Sequence, residues 1–303
     1  MRFAFIAEID EENAGKPRRS RIPVSLACEV LEVSRAGYYA WMKRDRSSRA
    51  VEDEELMAAV IEIDTEHEGR YGIDRIHREL ERRGRRHSPK RVRRLARAAG
   101  LRCVHPRPYK ATTVQAKTNP LGLVDLIDRA FVADGQDEVW YGDITYIHTI
   151  TGWAYLATVI DGHSRKVVGW SIATHMRTEL VTDALTMAIQ QRRPAEGQVV
   201  FHSDRGSQYT SARFRDLCLS NGILPSVGKT GICFDNAAAE SFNATLKKEL
   251  IHLHVWSGLK KVRQAVFGYI ETYYNRKRIQ KNLGYLTPVE YECRVDKEIL
   301  QAA

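Results

Sequence analysis

Hydrophobic positions recur at two spacings along the chain, and the change from one to the other divides it into two parts. Up to residue 100 the spacing is the period of amphipathic helices. Ser88 followed by Pro89 is typical of a helix N-terminus, and Gly100 of a helix end. The predicted helical elements are a helix-turn-helix unit over 23–43 and helices over 52–67, 73–84 and 89–100.

Beyond residue 135 the pattern changes to the alternation that is typical of half-buried strands. Turn sequences at Thr151-Gly152 and Asp161-Gly162 separate the first strands, which predicts a three-stranded meander. The predicted elements are strands over 138–147, 153–160, 166–173, 198–202 and 223–227, and helices over 179–191, 211–221, 236–251 and 259–274. This βββαβαβα order predicts an α/β fold with a mixed five-stranded sheet and flanking helices, preceded by an all-α helix-turn-helix-type region.

The composition is that of an ordinary globular protein. Of 303 residues, 43% are hydrophobic and 28% are charged, and no uncharged apolar run approaches the roughly 18 residues that a membrane span needs. Five cysteines without a Cys-x-x-Cys pair indicate neither a disulfide framework nor a zinc site. We therefore expect a soluble protein of the cytoplasm.

The net charge of +9 is concentrated in one segment. Residues 70–110 contain fifteen arginines and lysines against three acidic residues, whereas residues 121–303 are almost balanced. Such a basic stretch on two short helices predicts a DNA-binding helix-turn-helix, whose second helix contacts phosphates or guanine edges. A solvated helix face is the alternative. The candidate DNA-binding side chains on the second helix are Lys90, Arg91, Arg93, Arg94 and Arg97.

Three acidic residues lie where the pattern brings the ends of elements together. Asp143 interrupts an apolar strand, Asp204 directly follows the fourth strand, and Glu240 lies near the start of a helix. Each acid also has a purely structural interpretation. Asp143 could pair with a neighbouring arginine, Asp204 could cap the turn that follows it, and Glu240 could complement the helix dipole. Together they predict a carboxylate site, because a divalent cation such as Mg²⁺ or Mn²⁺ relieves the repulsion among three acids.

Three motifs carry these acids: Tyr141-Gly142-Asp143-Ile144-Thr145-Tyr146-Ile147, His202-Ser203-Asp204-Arg205-Gly206-Ser207-Gln208-Tyr209-Thr210-Ser211 and Asp235-Asn236-Ala237-Ala238-Ala239-Glu240-Ser241-Phe242. They resemble the integrase core of bacterial insertion-sequence transposases, in the family conventionally numbered three. Thirty-five residues separate Asp204 from Glu240, which is the spacing of that family's DDE triad. Lys247, seven residues after Glu240, matches the basic residue with which the family holds terminal DNA. The resemblance covers most of the chain.

The resemblance implies a ribonuclease H-like catalytic domain, similar to retroviral integrases, that cuts element ends and joins a 3′-hydroxyl to target DNA. Asp143 would contact both of two Mg²⁺ or Mn²⁺ ions per active site, while Asp204 and Glu240 would contact one each. The implied partners are the element ends, the target DNA and further copies of the chain on that DNA. The helix-turn-helix protein of an upstream reading frame, separate or fused to this chain by frameshifting, is a further implied partner.

Two positions depart from the family pattern. Gly142 stands where threonine or a similar residue is usual, and we expect it to loosen the strand packing beside Asp143. Gln280 stands in place of a histidine in the C-terminal basic run, so a family role for that run is not carried over. We expect neither departure to abolish metal binding.

Other candidate residues have simpler interpretations. The run His202-Ser203-Asp204 contains the residue types of a serine hydrolase triad, but consecutive strand residues point to opposite faces. His202 itself could still touch the metal site. The glycine-rich segment 228–231 is interpreted as a mobile flap near the site rather than a phosphate loop. The side chains assigned to the core or surface, rather than to metal binding or base stacking, are Trp140, Trp153, Tyr155, His252 and His254.

These observations favour a DDE-type DNA transposase. Two other hypotheses are a helix-turn-helix regulator with an inactive integrase-like domain, and a nuclease that cleaves DNA without joining it. The predicted segments are a small helical segment at 1–50, a basic DNA-binding region at 51–104, a linker at 105–135, the catalytic core at 136–255 and a helical extension at 256–303.

Overall fold

The computed structural model of the chain describes residues 2–43, 47–104, 126, 133–228 and 236–302. The strands are β1 Val139–Thr149, β2 Gly152–Asp161, β3 Val167–Ala173, β4 Val200–Ser203 and β5 Leu224–Val227. The helices are α1 Arg2–Ala14, α2 Val24–Val30, α3 Arg35–Met42, α4 Ser48–Glu66, α5 Ile73–Arg82, α6 Pro89–Ala98, α7 Thr178–Arg192, α8 Ala212–Ser220, α9 Ala237–Glu249, α10 Leu259–Phe267 and α11 Pro288–Ala302. Most of the predicted linker, and the predicted flap from residue 229 on, lie outside the described residues.

The sheet has the order β3-β2-β1-β4-β5, with β1 at its centre. β1, β2 and β3 form the predicted antiparallel meander, whereas β4 runs parallel to β1 and β5 parallel to β4. The mixed five-stranded, ribonuclease H-like sheet is therefore confirmed. β1 has 11 residues and β4 has 4, and β4 pairs with β1 only as far as Gly142. β1 thus continues well beyond the end of β4.

Helices cover both faces of the sheet. On one face Trp140 of β1 packs in a cluster with Phe201 and Phe214 under α7 and α8. On the other face Tyr141 and Ile147 belong to a cluster that includes α9 and α10 and continues into α4, α5 and α6. Because alternate strand residues point to opposite faces, Asp143 lies on the same side as Tyr141, facing α9.

The first 104 residues contain no strand within their described part, as predicted. Ser88 caps α6 by accepting a hydrogen bond from the Arg91 amide, and Gly100 adopts a φ of 71° after the helix, which favours glycine. α4 begins at Ser48, four residues earlier than the apolar pattern indicated, because the Ser47 side chain accepts from the Ala50 amide.

Two terminal helices were not predicted. α1 packs with α2 and α3 around a small separate core that includes Ile6, Cys28 and Tyr38, and it has too few buried residues to produce a helical stripe. α11 begins at Pro288, and its Glu292 reaches back to the turn between β2 and β3. The Ser164 hydroxyl and the Lys166 ammonium each donate to Glu292 at 2.7 Å.

The predicted helix over 259–274 is not a single α-helix. α10 ends at Phe267, and the chain continues as a π-helical segment over Gly268–Tyr274. The wider winding turns Tyr269 and Tyr273 into the core. Within the described residues, no helix is both long and apolar enough to cross a membrane.

The basic helical region packs directly onto the C-terminal extension. The Tyr71 hydroxyl accepts a hydrogen bond from the Ile279 amide at 3.0 Å, and Nε of Arg75 donates to the Ile279 carbonyl at 3.1 Å. Next to these contacts, Arg278 and Glu249 form a buried ion pair with N to O distances of 2.7–3.1 Å. The helix-turn-helix region and the catalytic core therefore share one continuous hydrophobic core.

Candidate active site

Asp143 and Asp204 occupy neighbouring positions on two parallel strands. Gly142 of β1 pairs with Ser203, the last residue of β4, and each acid is the next residue in its chain segment. Adjacent strands lie about 4.8 Å apart, so the register places the two acids side by side at the end of β4. The first and fourth strands are therefore neighbours in the sheet, which is the condition for these two acids to meet.

Helix α9 carries Glu240 to the same region. Nδ2 of Asn243 donates a 2.8 Å hydrogen bond to Oδ2 of Asp143, and Nδ2 of Asn236 donates at 2.8 Å to the Gly142 carbonyl. Glu240 and Asn243 are three residues apart and therefore share one face of the helix. Glu240 is exposed in the first turn, at the end of α9 nearest Asn236.

Lys247 extends this face of α9. It lies four residues after Asn243, which is one helical turn. Burial lowers the pKa of the Lys247 ammonium, while the negative charge of Asp143 acts to raise it, so the two groups are within electrostatic reach. Asn243 was not predicted as a site residue. Its position, three residues after Glu240 and four before Lys247, places it on the same helix face as both and could have identified it.

Burial raises the pKa values of all three acids, and the charge of Asp204 adds to this effect at Asp143 and Glu240. The pKa of Asp143 is raised to about 7, mainly by burial and next by the charge of Asp204, while the hydrogen bond from Asn243 acts in the opposite direction. Burial raises the pKa of Asp204, and burial together with the charge of Asp204 raises that of Glu240. The ionised forms are therefore destabilised, and a nearby cation would stabilise them.

The donor chemistry suits a hard divalent cation. All three candidate ligands are carboxylates, which Mg²⁺ and Mn²⁺ prefer over nitrogen or sulfur donors. In the described part of the chain, however, no three His, Cys, Asp or Glu side chains are grouped closely enough to hold a metal ion as they stand. The residues therefore fit such a cation by type and by charge, while their present spacing is wider than a complete ligand set requires.

Comparisons with known proteins identify the family to which the chain belongs. An integrase core domain model matches residues 133–233, a second integrase core domain model matches residues 240–295, and an HTH-like domain model matches residues 51–109. Transposase InsF for insertion sequence IS3A of Escherichia coli K12 is 36% identical over 294 residues, covering 96% of this chain and 98% of that protein. The chain belongs to the IS3 family of transposases.

A second transposase and two integrase structures are also similar to the chain. The transposase for insertion sequence element IS904 of Lactococcus lactis is 40% identical over 251 residues, covering 83% of this chain and 98% of the relative. The HTLV-2 integrase catalytic core in complex with magnesium has a TM-score of 0.38 at 17% identity, covering 50% of this chain and 94% of that one. A simian T-cell lymphotropic virus intasome has a TM-score of 0.40 at 16% identity, covering 67% and 66%.

Family membership confirms the predicted function class, a DNA transposase with an integrase core. Nothing in these comparisons favours the alternative of a regulator with an inactive integrase-like domain. The family assignment also supports a polynucleotidyl transferase activity and the use of divalent metal ions. It leaves the roles of individual residues to be argued from their positions in the structure.

Gly142 of the transposase does not loosen the sheet, contrary to expectation. A Cβ atom at this position would lie 2.4 Å from Cζ of Phe201 and 3.2 Å from Cε1 of Tyr209. Two aromatic rings therefore fill the space that a larger residue would need, and the packing beside Asp143 is tight. Gln280 has a structural position as well, because its amide donates to the Leu286 carbonyl at 2.9 Å.

As predicted, His202, Ser203 and Asp204 do not form a serine hydrolase triad. Nδ1 of His202 lies 2.9 Å from the Ser226 hydroxyl on β5, while the Ser203 hydroxyl donates to the Asp204 carbonyl. His252 and His254 lie beyond the C-terminal end of α9, and the predicted helix over 236–251 ends two residues early. α9 stops at Glu249, and His254 has extended backbone after a short 3₁₀ turn, so helical spacing does not apply to this pair.

The interpretation of three aromatic residues as core is only partly correct. Trp140 is fully buried. Trp153, however, has an exposed fraction of 52%, and Tyr155 is half-buried. Tyr155 packs against the edge of the cluster that includes α7, whereas Trp153 lies beyond it, next to the turn between β1 and β2. Sequence alternation could not show where the covering helix ends.

The five basic residues of α6 fall into two groups. Arg91 pairs with Asp53 at 2.6 Å and with Glu52 at 3.1 Å, and Arg94 also pairs with Asp53. These two arginines are directed toward α4 and help to hold the helices together. The other three basic side chains of α6 are exposed and have no ion pair in the described part of the chain: Lys90, Arg93 and Arg97.

Proposed function

We propose that Asp143, Asp204 and Glu240 are the catalytic carboxylates of a DDE-type transposase that cleaves insertion-element ends and transfers them to target DNA. The observation that carries this proposal is the register at the end of β4. It sets Asp143 beside Asp204, and the Asn243 hydrogen bond ties the helix that bears Glu240 to Asp143. Three acids with raised pKa values at one strand end are a recurrent feature of functional sites.

The same acids would hold two Mg²⁺ or Mn²⁺ ions, with Asp143 a ligand of both and Asp204 and Glu240 each a ligand of one. When bound, such ions activate an attacking oxygen and stabilise charge on the leaving oxygen of a phosphodiester. The chain itself orients the carboxylates. The amide of Asn243 fixes Oδ2 of Asp143, and the Ile144 backbone amide donates to Oδ1 at 2.8 Å. Both oxygens of Asp143 are thus held in place.

Lys247 and the basic helix α6 would bind the DNA. Lys247 is on the face of α9 that carries Glu240, and the charge of Asp143 acts on its pKa. Its ammonium is therefore in a position to bind a phosphate next to the reacting bond. Lys90, Arg93 and Arg97 are free to contact the duplex, and Arg91 and Arg94 would add charge while remaining paired with α4. We further propose that copies of the chain assemble on DNA, together with an upstream-frame helix-turn-helix protein.

The test uses the full chain and a duplex containing the inverted repeat that flanks its coding sequence. With Mg²⁺ or Mn²⁺, the wild type should cleave this duplex. Asp143→Asn, Asp204→Asn and Glu240→Gln should each abolish cleavage, while Asp216→Asn, an exposed acid of α8, should not. Retention of cleavage by the triad variants, with duplex binding intact, would refute the proposal.

A second substrate separates a transposase from a nuclease that cleaves without joining. Duplex ends carrying a pre-cut 3′-hydroxyl bypass the first step and report strand transfer alone. Joined products with supercoiled target DNA are expected. Cleavage of the uncut substrate without any joined product from the pre-cut one would assign the site to a nuclease.

A further inference from the structure

Four ring-bearing side chains line the outer half of the β1–β2 hairpin as two cross-strand pairs. Tyr146 is directly opposite Tyr155, and His148 is directly opposite Trp153. The ring centroids are 5.4 Å apart in the first pair and 5.1 Å in the second, with interplanar angles of 70° and 79°. We call these four residues the aromatic ladder. Their edge-to-face packing holds each ring in a defined orientation.

Three of the four ladder side chains are open to solvent, while Tyr155 is half-buried against the cluster that includes α7. Tyr146 is 43% exposed and Trp153 is 52% exposed, and His148 is exposed as well. Nearer the middle of the sheet, Trp140 on the same face is fully buried in the cluster that includes α7. Large rings gain most from burial, so a row of them left uncovered at a strand end calls for a ligand with apolar, flat surfaces.

The aromatic ladder begins next to the carboxylate site. Tyr146 is three residues after Asp143 on β1, about 10 Å along the strand, and by strand alternation its side chain leaves the opposite face of the sheet. A DNA strand that contacts both residues must therefore cross the edge of β1 beyond the end of β4. β4 ends before this point, so nothing from that strand separates the ladder from Asp204. The pKa of Tyr146 is raised by burial and by Tyr155, and further by the charges of Asp204 and Asp143, which places its hydroxyl within their electrostatic reach.

The segment that follows β3 runs from the ladder to the loop after Asp204. β3 ends at Ala173, which pairs with Tyr155, and the chain then runs through residues 174–177. Nε2 of Gln208 donates to the Met176 carbonyl at 2.8 Å, so this segment touches the loop that follows Asp204. Arg177 is exposed at its end. Aromatic rings on which successive bases stack are a means by which proteins bind single-stranded DNA without sequence preference.

We propose that the aromatic ladder stacks unpaired bases of the DNA strand that enters the carboxylate site. This inference rests on the proposed function, since it assigns a substrate strand to that site. Bases in an intact duplex have their faces covered by their neighbours, whereas unpaired bases next to a cleaved or opened end have them free. Stacking on aromatic side chains tolerates any base, so the ladder would favour an opened end without selecting a sequence.

The test measures binding without catalysis. The full chain is titrated in EDTA with a single-stranded oligonucleotide that contains 2-aminopurine, whose fluorescence is quenched by stacking, and with a blunt duplex of the same length. Tyr146→Ala and Trp153→Ala should each raise the single-strand Kd by about 5- to 150-fold and relieve the quenching. The duplex Kd should change by less than about twofold. Tyr146→Phe and Trp153→Phe should retain most of the affinity, because they keep an aromatic face.

Ile150→Ala is the matched control, since Ile150 is 73% exposed in the same hairpin turn and has no ring. It should leave both affinities unchanged. If the two alanine variants keep a native circular dichroism spectrum and bind the single strand as the wild type does, the proposal is wrong. It is equally wrong if those variants lose self-association in sedimentation experiments while single-strand binding persists, because the ladder would then be a contact between copies.

Failure of the ladder and failure of the catalytic proposal give different results. Asp143→Asn should lose cleavage and keep single-strand binding in EDTA. Loss of cleavage in Asp143→Asn with no effect of the ladder variants would overturn the ladder alone. Loss of single-strand binding in the ladder variants, with cleavage intact in Asp143→Asn, would support a stacking surface and overturn the assignment of the reacting strand to these acids.

Discussion

Arg278 donates three hydrogen bonds to the buried carboxylate of Glu249, at 2.7, 2.9 and 3.1 Å. Glu249 is the last residue of α9, the helix that begins three residues before Glu240. Nε of Arg70, from the basic helical region, donates to the Glu249 carbonyl at 3.2 Å. One residue thus joins the C-terminal extension and the helix-turn-helix region to the helix that bears a candidate catalytic acid.

Glu249→Gln should lower the free energy of unfolding by about 3–5 kcal/mol, because it leaves the Arg278 guanidinium buried without a counter-charge. Urea denaturation measures the effect. Arg215→Gln, which breaks an exposed pair with Asp216, is the control and should cost less than about 1 kcal/mol. Similar values for the two variants would show that the buried pair holds nothing together.

Gly142→Ala should destabilise the protein by about 1–3 kcal/mol, because the new methyl group collides with the Phe201 ring. Phe201→Leu, which removes the colliding ring atom, should offset part of that loss when the two changes are combined. Thermal melting of the single and double variants measures this coupling. Strict additivity of the two losses would contradict direct contact between these positions.

Asn243→Ala should reduce DNA cleavage by about 5- to 150-fold, because Oδ2 of Asp143 loses the hydrogen bond that orients it, a loss of about 1–3 kcal/mol. Ser241→Ala, on the exposed side of α9, is the control for changes in the helix itself. A rate constant for Asn243→Ala equal to that of the control would exclude a positioning role for this amide.

Asp143→Asn should stabilise the metal-free protein in alkaline but not in acidic solution. The pKa of Asp143 is raised to about 7 in the folded chain, so folding favours its protonated form. That contribution is present below the ordinary aspartate pKa of about 4 and is lost as the pH rises through about 7. Because asparagine does not ionise, Asp143→Asn avoids this loss of folding free energy at high pH, which amounts to a few kcal/mol at most.

Urea denaturation in EDTA at pH 4.5 and pH 8 measures this difference, with Asp216→Asn as the exposed control. Adding Mg²⁺ at pH 8 should stabilise the wild type more than Asp143→Asn, because a cation that binds the folded state selectively shifts the unfolding equilibrium. An equal response of both proteins to Mg²⁺ would count against Asp143 as a metal ligand.

Lys90→Ala, Arg93→Ala and Arg97→Ala should each lower the slope of log K against log salt concentration for duplex DNA, by about 0.9 for each phosphate that the variant no longer neutralises. Fluorescence anisotropy at several salt concentrations gives the slopes. Arg91→Ala should reduce stability as well, since Arg91 pairs with Asp53. A slope unaffected by all three exposed substitutions would place the DNA elsewhere.

The catalytic half of the fold was predictable because each element carries its own local signal. Strand alternation and the turns at 151–152 and 161–162 identified β1 to β3, and Ser88-Pro89 identified the start of α6. α1 was missed because it has no clear apolar stripe. The docking of α11 depends on distant partners, such as Ser164 for Glu292. Contacts between residues more than a hundred positions apart leave no periodic trace in the sequence.

For the candidate site, the motifs identified the three acids and Lys247, and their exact roles stay predictions. What the sequence could not supply is the surroundings of each side chain. The Phe201 ring that fills the space over Gly142 reversed the expectation of loose packing. Likewise, the exposure of Trp153 depends on where α7 stops covering the sheet, which composition and spacing do not encode.

Glu292 of α11 serves three donors at once, on Ser164, Lys166 and Arg192. A premature stop codon before residue 288 would remove that shared acceptor and leave a buried cluster of donors unsatisfied. Such a shortened gene would keep every codon of the triad and still encode a polypeptide prone to unfolding and proteolysis. We therefore expect loss of the codons for this helix alone to inactivate the transposase, with the codons of all three candidate acids intact.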